Sequence, residues 1–301
     1  MAAYLHLHGH PRVQNLSLSN PSRPYSLCYS PPMTIKMSQD QSYWSSINAD
    51  IEAHLKQAIP IRPPLSVFEP MHHLTFSAPR NTAPALCIAA CELVGGHRDE
   101  AMAAASALHL MHAATFAHEN LPLTDRPSFR PTINHSFKPN IELLVPDGMV
   151  PFGFELLAKS DDPANNNSDR VLKVIVEIAR AMGSNGVVEG LYKETLVGQS
   201  DGEELSDVSI GGWMRHTCKK KEGELNACGA ILGGASEVEI VKLRKYGLYV
   251  GMRQGYLNRN ASNEKELQKV VAELRNLALI ELQHFKGHKV EAISSFINGV
   301  L

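Results

Sequence analysis

The chain contains 301 residues, of which 44% are hydrophobic and 20% are charged, and its formal net charge is −2. This composition supplies a sizeable core and only five cysteines, which excludes a disordered chain, a collagen-like chain and a disulfide scaffold. The near-neutral charge offers no basic surface for nucleic acid. The longest apolar stretch, residues 101–117, is interrupted by serine, histidine and threonine, so we predict no membrane span.

The first 39 residues differ in composition from the rest of the chain. They contain no aspartate or glutamate, few basic residues, many serines and five prolines. A segment of this kind without a continuous apolar run is typical of an organelle transit peptide. The serine and proline content favours the plastid, so we predict a disordered leader over residues 1–39 that is removed in the plastid stroma, with cleavage within 33–41. An ordinary disordered tail is the alternative.

Helical periodicity dominates from residue 42 onward, with apolar residues spaced near the helical repeat and Gly or Pro ending several segments. The predicted helices cover residues 48–59, 84–94, 99–118, 169–182 and 264–285, with one more on each side of Gly233-Gly234. The predicted loops are a proline-rich segment at 121–139 and a long acidic segment at 191–212. Twelve alanines between positions 83 and 117 allow helices to approach closely. We therefore predict one all-α domain over residues 42–301.

Two short segments have sequences specific enough to indicate a protein family. Residues 86–96 read Leu-Cys-Ile-Ala-Ala-Cys-Glu-Leu-Val-Gly-Gly, and residues 229–235 read Gly-Ala-Ile-Leu-Gly-Gly-Ala. Both resemble blocks of the plant plastidial trans-prenyl diphosphate synthases, the geranylgeranyl diphosphate synthase family. The resemblance is narrowed to the small subunits of heteromeric geranyl diphosphate synthases by segments 61–64, 70–76, 150–158 and 218–221. It covers residues 42–290 and implies an isoprenoid synthase-type helical bundle.

The chain departs from this family at both aspartate-rich motifs. In catalytic members these motifs hold Mg²⁺ ions against the allylic diphosphate, since Mg²⁺ prefers carboxylate and phosphate oxygens. The first motif, Asp-Asp-x4-Asp in those members, reads Glu119-Asn120-x4-Asp125 here. The second is expected near residues 250–262, which contain two arginines and no carboxylate. We therefore expect no catalytic residue and no bound metal in this chain, and Mg²⁺ in a partner subunit.

The segment that binds isopentenyl diphosphate in catalytic members is also altered. Their Gly-Gly-Lys-Arg-x-Arg-Pro corresponds to residues 78–84 here, where Arg80 is the one remaining cation. Each lost charge-assisted phosphate contact costs about 1.5–3 kcal/mol. The resemblance thus implies a chain that does not form the product by itself. The alternatives are an autonomous prenyltransferase with a rearranged site of Glu119, Asp125 and Asp147, and a diphosphate-binding or scaffold protein without a synthase partner.

Three cysteines form the candidate subunit contact. Cys87 and Cys91 lie four residues apart, so both thiols share one helix face. Plain core packing is one interpretation, because free cysteine behaves as a small apolar residue. In the resembled family, Cys-x3-Cys motifs are associated with contact between large and small subunits, and we predict that role for Cys87, Cys91 and Cys228. The second motif is incomplete, since Glu224 stands four residues before Cys228.

Two other groups of side chains have structural interpretations. His109, His112 and His118 do not share one helix face, so we expect histidines satisfied in the core or an interface rather than metal ligands. The three lysines at 219–221 are expected on a solvated helix face.

The resemblance leads to the hypothesis of a regulatory subunit. The chain would bind a geranylgeranyl diphosphate synthase-like large subunit, in a heterodimer or heterotetramer, and that partner would supply Mg²⁺ and the chemistry. The complex would favour geranyl diphosphate (C10), made from isopentenyl and dimethylallyl diphosphates. A partner that alters helix packing or lid motion can change how soon an intermediate leaves, without any catalytic residue of its own.

Overall fold

The computed structural model describes residues 33–121, 135–199, 207–223, 228–258 and 264–297, and these residues form helices without a β-strand. The helices are α1 Met33–Ala58, α2 Leu65–Ser77, α3 Thr82–Leu93, α4 Arg98–Glu119, α5 Pro139–Lys159, α6 Ser168–Met182, α7 Val187–Gln199, α8 Asp207–Cys218, α9 Cys228–Leu232, α10 Glu237–Leu257, α11 Glu264–Leu282 and α12 His288–Ile297. A π-helical turn at Lys219–Gly223 continues α8. The all-α prediction is confirmed. None of the described helices is both long and apolar enough to cross a bilayer.

Helices α3 and α4 form the centre of the bundle. Every residue of α3 from Ala83 to Cys91 is buried, and α4 packs along both α3 and α5. The small side chains permit this close packing: a Cβ atom added at Gly153 of α5 would lie 3.5 Å from the Cα of Ala107 and 3.1 Å from the Cε of Met111. The alanine-rich stretch is therefore the core of the bundle, as its composition predicts.

The short helix α9 approaches α3 more closely than any side chain would allow. A Cβ atom added at Gly229 would lie 1.6 Å from the carbonyl oxygen of Cys87, and one at Gly233 would lie 2.8 Å from the carbonyl oxygen of Cys91. Both glycines belong to the specific segment 229–235, so their identity follows from backbone contact between the two helices.

An ion-pair network around Arg98 fixes α1 against α3 and α4. The Arg98 guanidinium donates to Glu92 at 3.0 Å, to the hydroxyl of Ser46 at 3.0 Å and to Asp50 at 2.5 Å. Tyr43 of α1 also donates its hydroxyl hydrogen bond to Glu92, at 2.6 Å. One guanidinium thus joins side chains from three helices.

The prediction of a long acidic loop over residues 191–212 is wrong. Helix α7 continues to Gln199 and α8 begins at Asp207, while residues 200–206 lie outside the described part of the chain. Two acidic residues of α7 form ion pairs with lysines: Glu189 lies 3.4 Å from Lys193, and Glu194 lies 2.6 Å from Lys221. Acidic side chains that form ion pairs are compatible with a helix, whereas the loop prediction treats them as solvated.

Helices α2 and α5 are not predicted by hydrophobic periodicity, because both contain proline within the helix. Pro70 lies inside α2, and Pro146 and Pro151 lie inside α5. Proline normally ends a helix by removing one backbone donor and clashing with the preceding turn. Tertiary packing against α4 outweighs that local cost here.

The beginning of α1 bears on the predicted leader. The helix begins at Met33, so residues 33–39 are helical and the predicted disorder does not extend to residue 39. Residues 1–32 lie outside the described part of the chain. The transit peptide itself stays a prediction, and the expected cleavage interval 33–41 lies in the first turns of α1.

Candidate functional site at the carboxyl end of helix α4

A buried cluster of one lysine and two glutamates lies where the altered first motif begins; we call it the Lys221 cluster. Glu119 is the last residue of α4, and its carboxylate lies 2.6 Å from the Lys221 ammonium. Glu194 of α7 lies 2.6 Å from the same ammonium. The side chains of Lys221, Glu119 and Glu194 are 5%, 10% and 23% exposed. The expectation of a solvated lysine face is therefore wrong for Lys221, although Lys219 is exposed.

The described part of the first motif adds no second carboxylate to Glu119. The Asn120 side-chain amide donates to the carbonyl oxygen of Phe116 at 2.7 Å, so it is directed back onto α4. Asp125 lies outside the described residues. Asp147 of α5 lies 3.4 Å from His118 and is 63% exposed. The rearranged site of Glu119, Asp125 and Asp147 stays an untested alternative, because Asp125 lies outside the described residues.

The last turns of α10 cover most of the region expected for the second motif. After Glu239 this helix contains no carboxylate. Arg253 is half-buried, its Nε has no hydrogen-bond partner among the described residues, and burial together with nearby Arg275 lowers the pKa of its guanidinium. A Cβ atom added at Gly255 would lie 2.8 Å from Glu222 and 3.0 Å from Cys218, so α10 packs directly on the π-helical turn.

The segment that replaces the isopentenyl diphosphate motif serves the fold. Asn81 caps α3 by accepting a hydrogen bond from the backbone N–H of Ala83 at 2.7 Å. The same side chain lies 3.0 Å from Nδ1 of His112, whose Nε2 lies 3.0 Å from the carbonyl oxygen of Pro79. Burial lowers the pKa of His112 to about 4, so the ring is neutral and can donate to one partner and accept from the other. Arg80 is exposed.

The prediction that the three histidines of α4 have hydrogen-bond partners within the protein is confirmed. Nε2 of His109 lies 2.9 Å from the carbonyl oxygen of Thr75, and Nε2 of His118 lies 3.1 Å from that of Leu143. Burial lowers the pKa of His109, as it does for His112. Each ring therefore has a backbone partner that joins α4 to a neighbouring element.

The three candidate interface cysteines lie in the core. Cys87 and Cys91 are 0% exposed and Cys228 is 3% exposed. Cys91 donates to the carbonyl oxygen of His97 at 3.3 Å. Burial raises the pKa of Cys91 and of Cys228 to about 12, and it also raises the pKa of Cys87 well above its ordinary value. The structure thus favours the core interpretation over direct thiol contact with a second subunit, and any interface role would act through the position of α3.

Thiol titration distinguishes these two interpretations. We expect a folded chain with Cys28→Ser, which removes the one cysteine outside the described residues, to react with no aromatic disulfide reagent at neutral pH, because the four remaining thiols are buried and inaccessible. The four remaining cysteines should react after denaturation with guanidinium. Rapid reaction of Cys87 or Cys91 in the folded chain would contradict the core assignment.

Relatives among known proteins identify the family. No protein-family model matches the chain. It is 56% identical over 280 residues to the heterodimeric geranylgeranyl pyrophosphate synthase small subunit 2, chloroplastic, of Cannabis sativa, covering 89% of this chain and 97% of that protein. The chain belongs to this small-subunit family.

Solved structures of the small-subunit family and its relatives agree in fold. The geranyl diphosphate synthase small subunit from Antirrhinum majus superimposes with a TM-score of 0.78 at 54% identity, covering 86% of this chain and 98% of that one. A chain of the heterotetrameric geranyl pyrophosphate synthase from mint gives 0.75 at 49% identity, covering 85% and 99%. The predicted isoprenoid synthase-type bundle is confirmed.

The described residues do not fit the Mg²⁺ sites that the resemblance implies for catalytic members of the wider family. Within the described ranges, no three His, Cys, Asp or Glu side chains form a group able to hold a metal ion. The carboxylate of Glu119 contacts an ammonium, and α10 offers arginine where the second set of carboxylates is expected. The arrangement is therefore one of internal ion pairs.

Proposed function

We propose that this small-subunit family member is a regulatory, non-catalytic subunit that binds a geranylgeranyl diphosphate synthase-like large subunit in the plastid stroma. Its relatives from Cannabis sativa and Antirrhinum majus are small subunits, and the mint structure is of a heterotetrameric synthase. The Cannabis sativa relatives are chloroplastic, which supports the plastid. In this proposal the large subunit holds Mg²⁺ and both diphosphates.

The observation that carries the non-catalytic role is the absence of carboxylates on α10 beyond its second turn. Prenyl transfer begins with departure of diphosphate, and metal ions bound by carboxylates offset the charge that develops on it. The arginine at position 253 brings positive charge to this helix, which opposes metal binding. Together with the loss of two cations around Arg80, this leaves no described set of side chains to perform that step.

Exposed apolar side chains support the binding of a partner. Leu172 and Val176 of α6 are 59% and 47% exposed, and they lie four residues apart on one face of the helix. Leu144, on the neighbouring helix α5, is 62% exposed. Large apolar side chains that share one exposed helix face, as Leu172 and Val176 do, are typical of a protein–protein contact.

We further propose that the complex shifts the product toward geranyl diphosphate (C10). The chain length of the product depends on whether the first intermediate leaves before the next condensation. A bound regulatory subunit can change that ratio through packing against the large subunit, because a coupling of about 1–3 kcal/mol changes a partition by about 5- to 150-fold. The Antirrhinum majus and mint relatives belong to geranyl diphosphate synthases, which supports this direction.

The proposal is tested by mixing the purified chain with a large subunit. We expect size-exclusion chromatography to show a complex, the chain alone to give no product with Mg²⁺, and the complex to give a geranyl diphosphate fraction several-fold higher than the large subunit alone. Val176→Glu should raise the dissociation constant of the complex by at least about tenfold, because the new carboxylate would be buried at the contact. Ile280→Glu on α11, an equally exposed apolar position, is the matched control and should bind normally.

Two results would contradict the proposal. Steady turnover of isopentenyl and dimethylallyl diphosphates by the chain alone would favour the autonomous prenyltransferase. Failure to bind any large subunit, with the chain folded by circular dichroism, would favour a scaffold without a synthase partner.

A further inference from the structure

We propose that Lys221 is a permanent internal cation that takes the place of a divalent metal at the carboxyl end of α4. The inference deepens the proposed non-catalytic role and rests on it for its functional meaning. Its physical content concerns the isolated chain: the Lys221 cluster binds no divalent ion as long as the lysine is present.

The contacts of Lys221 are those of a structural counter-ion. Its ammonium lies 2.6 Å from a carboxylate oxygen of Glu119 and 2.6 Å from one of Glu194, and only 5% of its side chain is exposed. Lysine is rarely buried unless it is paired, and contacts to two carboxylates are short, charge-assisted hydrogen bonds. Because Glu119 is the last residue of α4, the negative end of that helix dipole also favours a cation here.

The backbone is arranged so that one lysine of three points inward. The π-helical turn at 219–223 changes the direction of successive side chains: Lys219 is exposed, Lys220 donates to the carbonyl oxygen of Asn185, and Lys221 is buried. Gly190 of α7 leaves the space that the stem of Lys221 occupies, since a Cβ atom there would lie 2.8 Å from its Cγ. The position of the Lys221 ammonium is therefore determined by the π-helical turn that carries it and by the space left at Gly190 of α7.

A divalent ion cannot share these oxygens with the ammonium. Mg²⁺ requires oxygen ligands at about 2.0–2.1 Å in octahedral geometry, so it would need the same carboxylate oxygens that Lys221 contacts. If Mg²⁺ and the Lys221 ammonium bound the same oxygens, they would repel one another strongly, because little water enters the site and the effective dielectric constant there is low. The lysine carries one positive charge on a covalent tether, so unlike Mg²⁺ it neither exchanges with solvent nor moves with a diphosphate.

The inference predicts a metal site that appears when the lysine is removed. In the full-length Lys221→Met chain, Glu119 and Glu194 remain as adjacent carboxylates, and we expect one Mn²⁺ site, measured by electron paramagnetic resonance, at least about tenfold tighter than any in the unchanged protein. The site should be lost in the double variant with Glu119→Gln. We also expect Mg²⁺ to raise the melting temperature of Lys221→Met relative to EDTA and to leave that of the unchanged chain the same.

The control is Lys220→Met, which removes a neighbouring lysine outside the cluster and should leave Mn²⁺ binding unchanged. A Mn²⁺ site in the unchanged chain that Glu119→Gln abolishes would overturn the inference, and this comparison holds even if Lys221→Met does not fold. A folded Lys221→Met chain that gains no Mn²⁺ site would also overturn it. Loss of the proposed regulatory function would instead be seen in the subunit-mixing experiment, which these metal titrations do not involve.

Discussion

Replacing Gly229 with alanine is expected to destabilise the chain by about 3 kcal/mol or more, at the upper end of the range for overpacking. The added methyl group would lie 1.6 Å from the carbonyl oxygen of Cys87, a backbone atom that no rotamer change can move. Helices α3 and α9 would have to separate, and α3 is buried along most of its length. Equilibrium unfolding in urea, followed by circular dichroism, measures the loss.

Gly148→Ala on α5 is the matched control for Gly229→Ala. Both positions are helical, so both gain the same alanine preference, but a Cβ atom at Gly148 meets no atom within 4 Å. We expect Gly148→Ala to stabilise the chain by about 0.5–1 kcal/mol. If Gly229→Ala also unfolds at the same or a higher urea concentration than the unchanged chain, the close contact of α9 with α3 is wrong.

Arg98→Ala is expected to lower the free energy of unfolding by about 2–3 kcal/mol, somewhat less than for a fully buried pair. The side chain of Glu92 is only 14% exposed, and without Arg98 it would keep the Tyr43 hydroxyl but lose its cation. The contacts to Asp50 and Ser46 that hold α1 would be lost as well. The expected magnitude lies below that of a buried pair because Asp50 is 46% exposed.

Two further variants test the cause of the Arg98→Ala effect. Arg98→Lys keeps the charge but not the planar fork, and it should recover only part of the loss. Lys56→Ala removes an exposed pair with Glu52, whose partners are 57% and 51% exposed, and should cost less than about 0.5 kcal/mol. If the Arg98→Ala and Lys56→Ala chains have the same melting temperature, the Arg98 network contributes no more to stability than a surface ion pair.

Sequence analysis predicts the helices whose apolar residues follow the helical repeat without interruption. Each failure to predict one of the helices discussed below has an identifiable physical reason. The predicted segments 84–94 and 169–182 coincide with α3 and α6 to within about two residues. In α5, two prolines argue locally against a helix that packing against α4 maintains. In α7, the acidic residues favour a solvated loop in the sequence analysis, because the lysines that neutralise them can be identified only from the folded structure.

Of the three members of the Lys221 cluster, sequence analysis singles out Glu119 and misses Glu194 and Lys221. Glu119 and Asn120 stand out as departures from the family's pattern, and the sequence alone gives that result. The partner of Glu119 is 102 positions away, and a run of three lysines does not indicate which one is buried, because a π-helical turn rather than a regular helix sets their directions. One signal was available: a glutamate at the end of an alanine-rich core helix needs a cation nearby.

The contact between α1 and α12 has a consequence for the order in which the bundle can form. Trp44 donates its indole N–H to Ser295 at 3.1 Å, across 251 residues of sequence, and its ring lies 4.5 Å from that of Phe296. Closing so long a loop costs chain entropy before the contact contributes any stabilisation. We therefore expect the apolar face of α1 to gain this partner late, after the intervening helices have packed and brought α12 close.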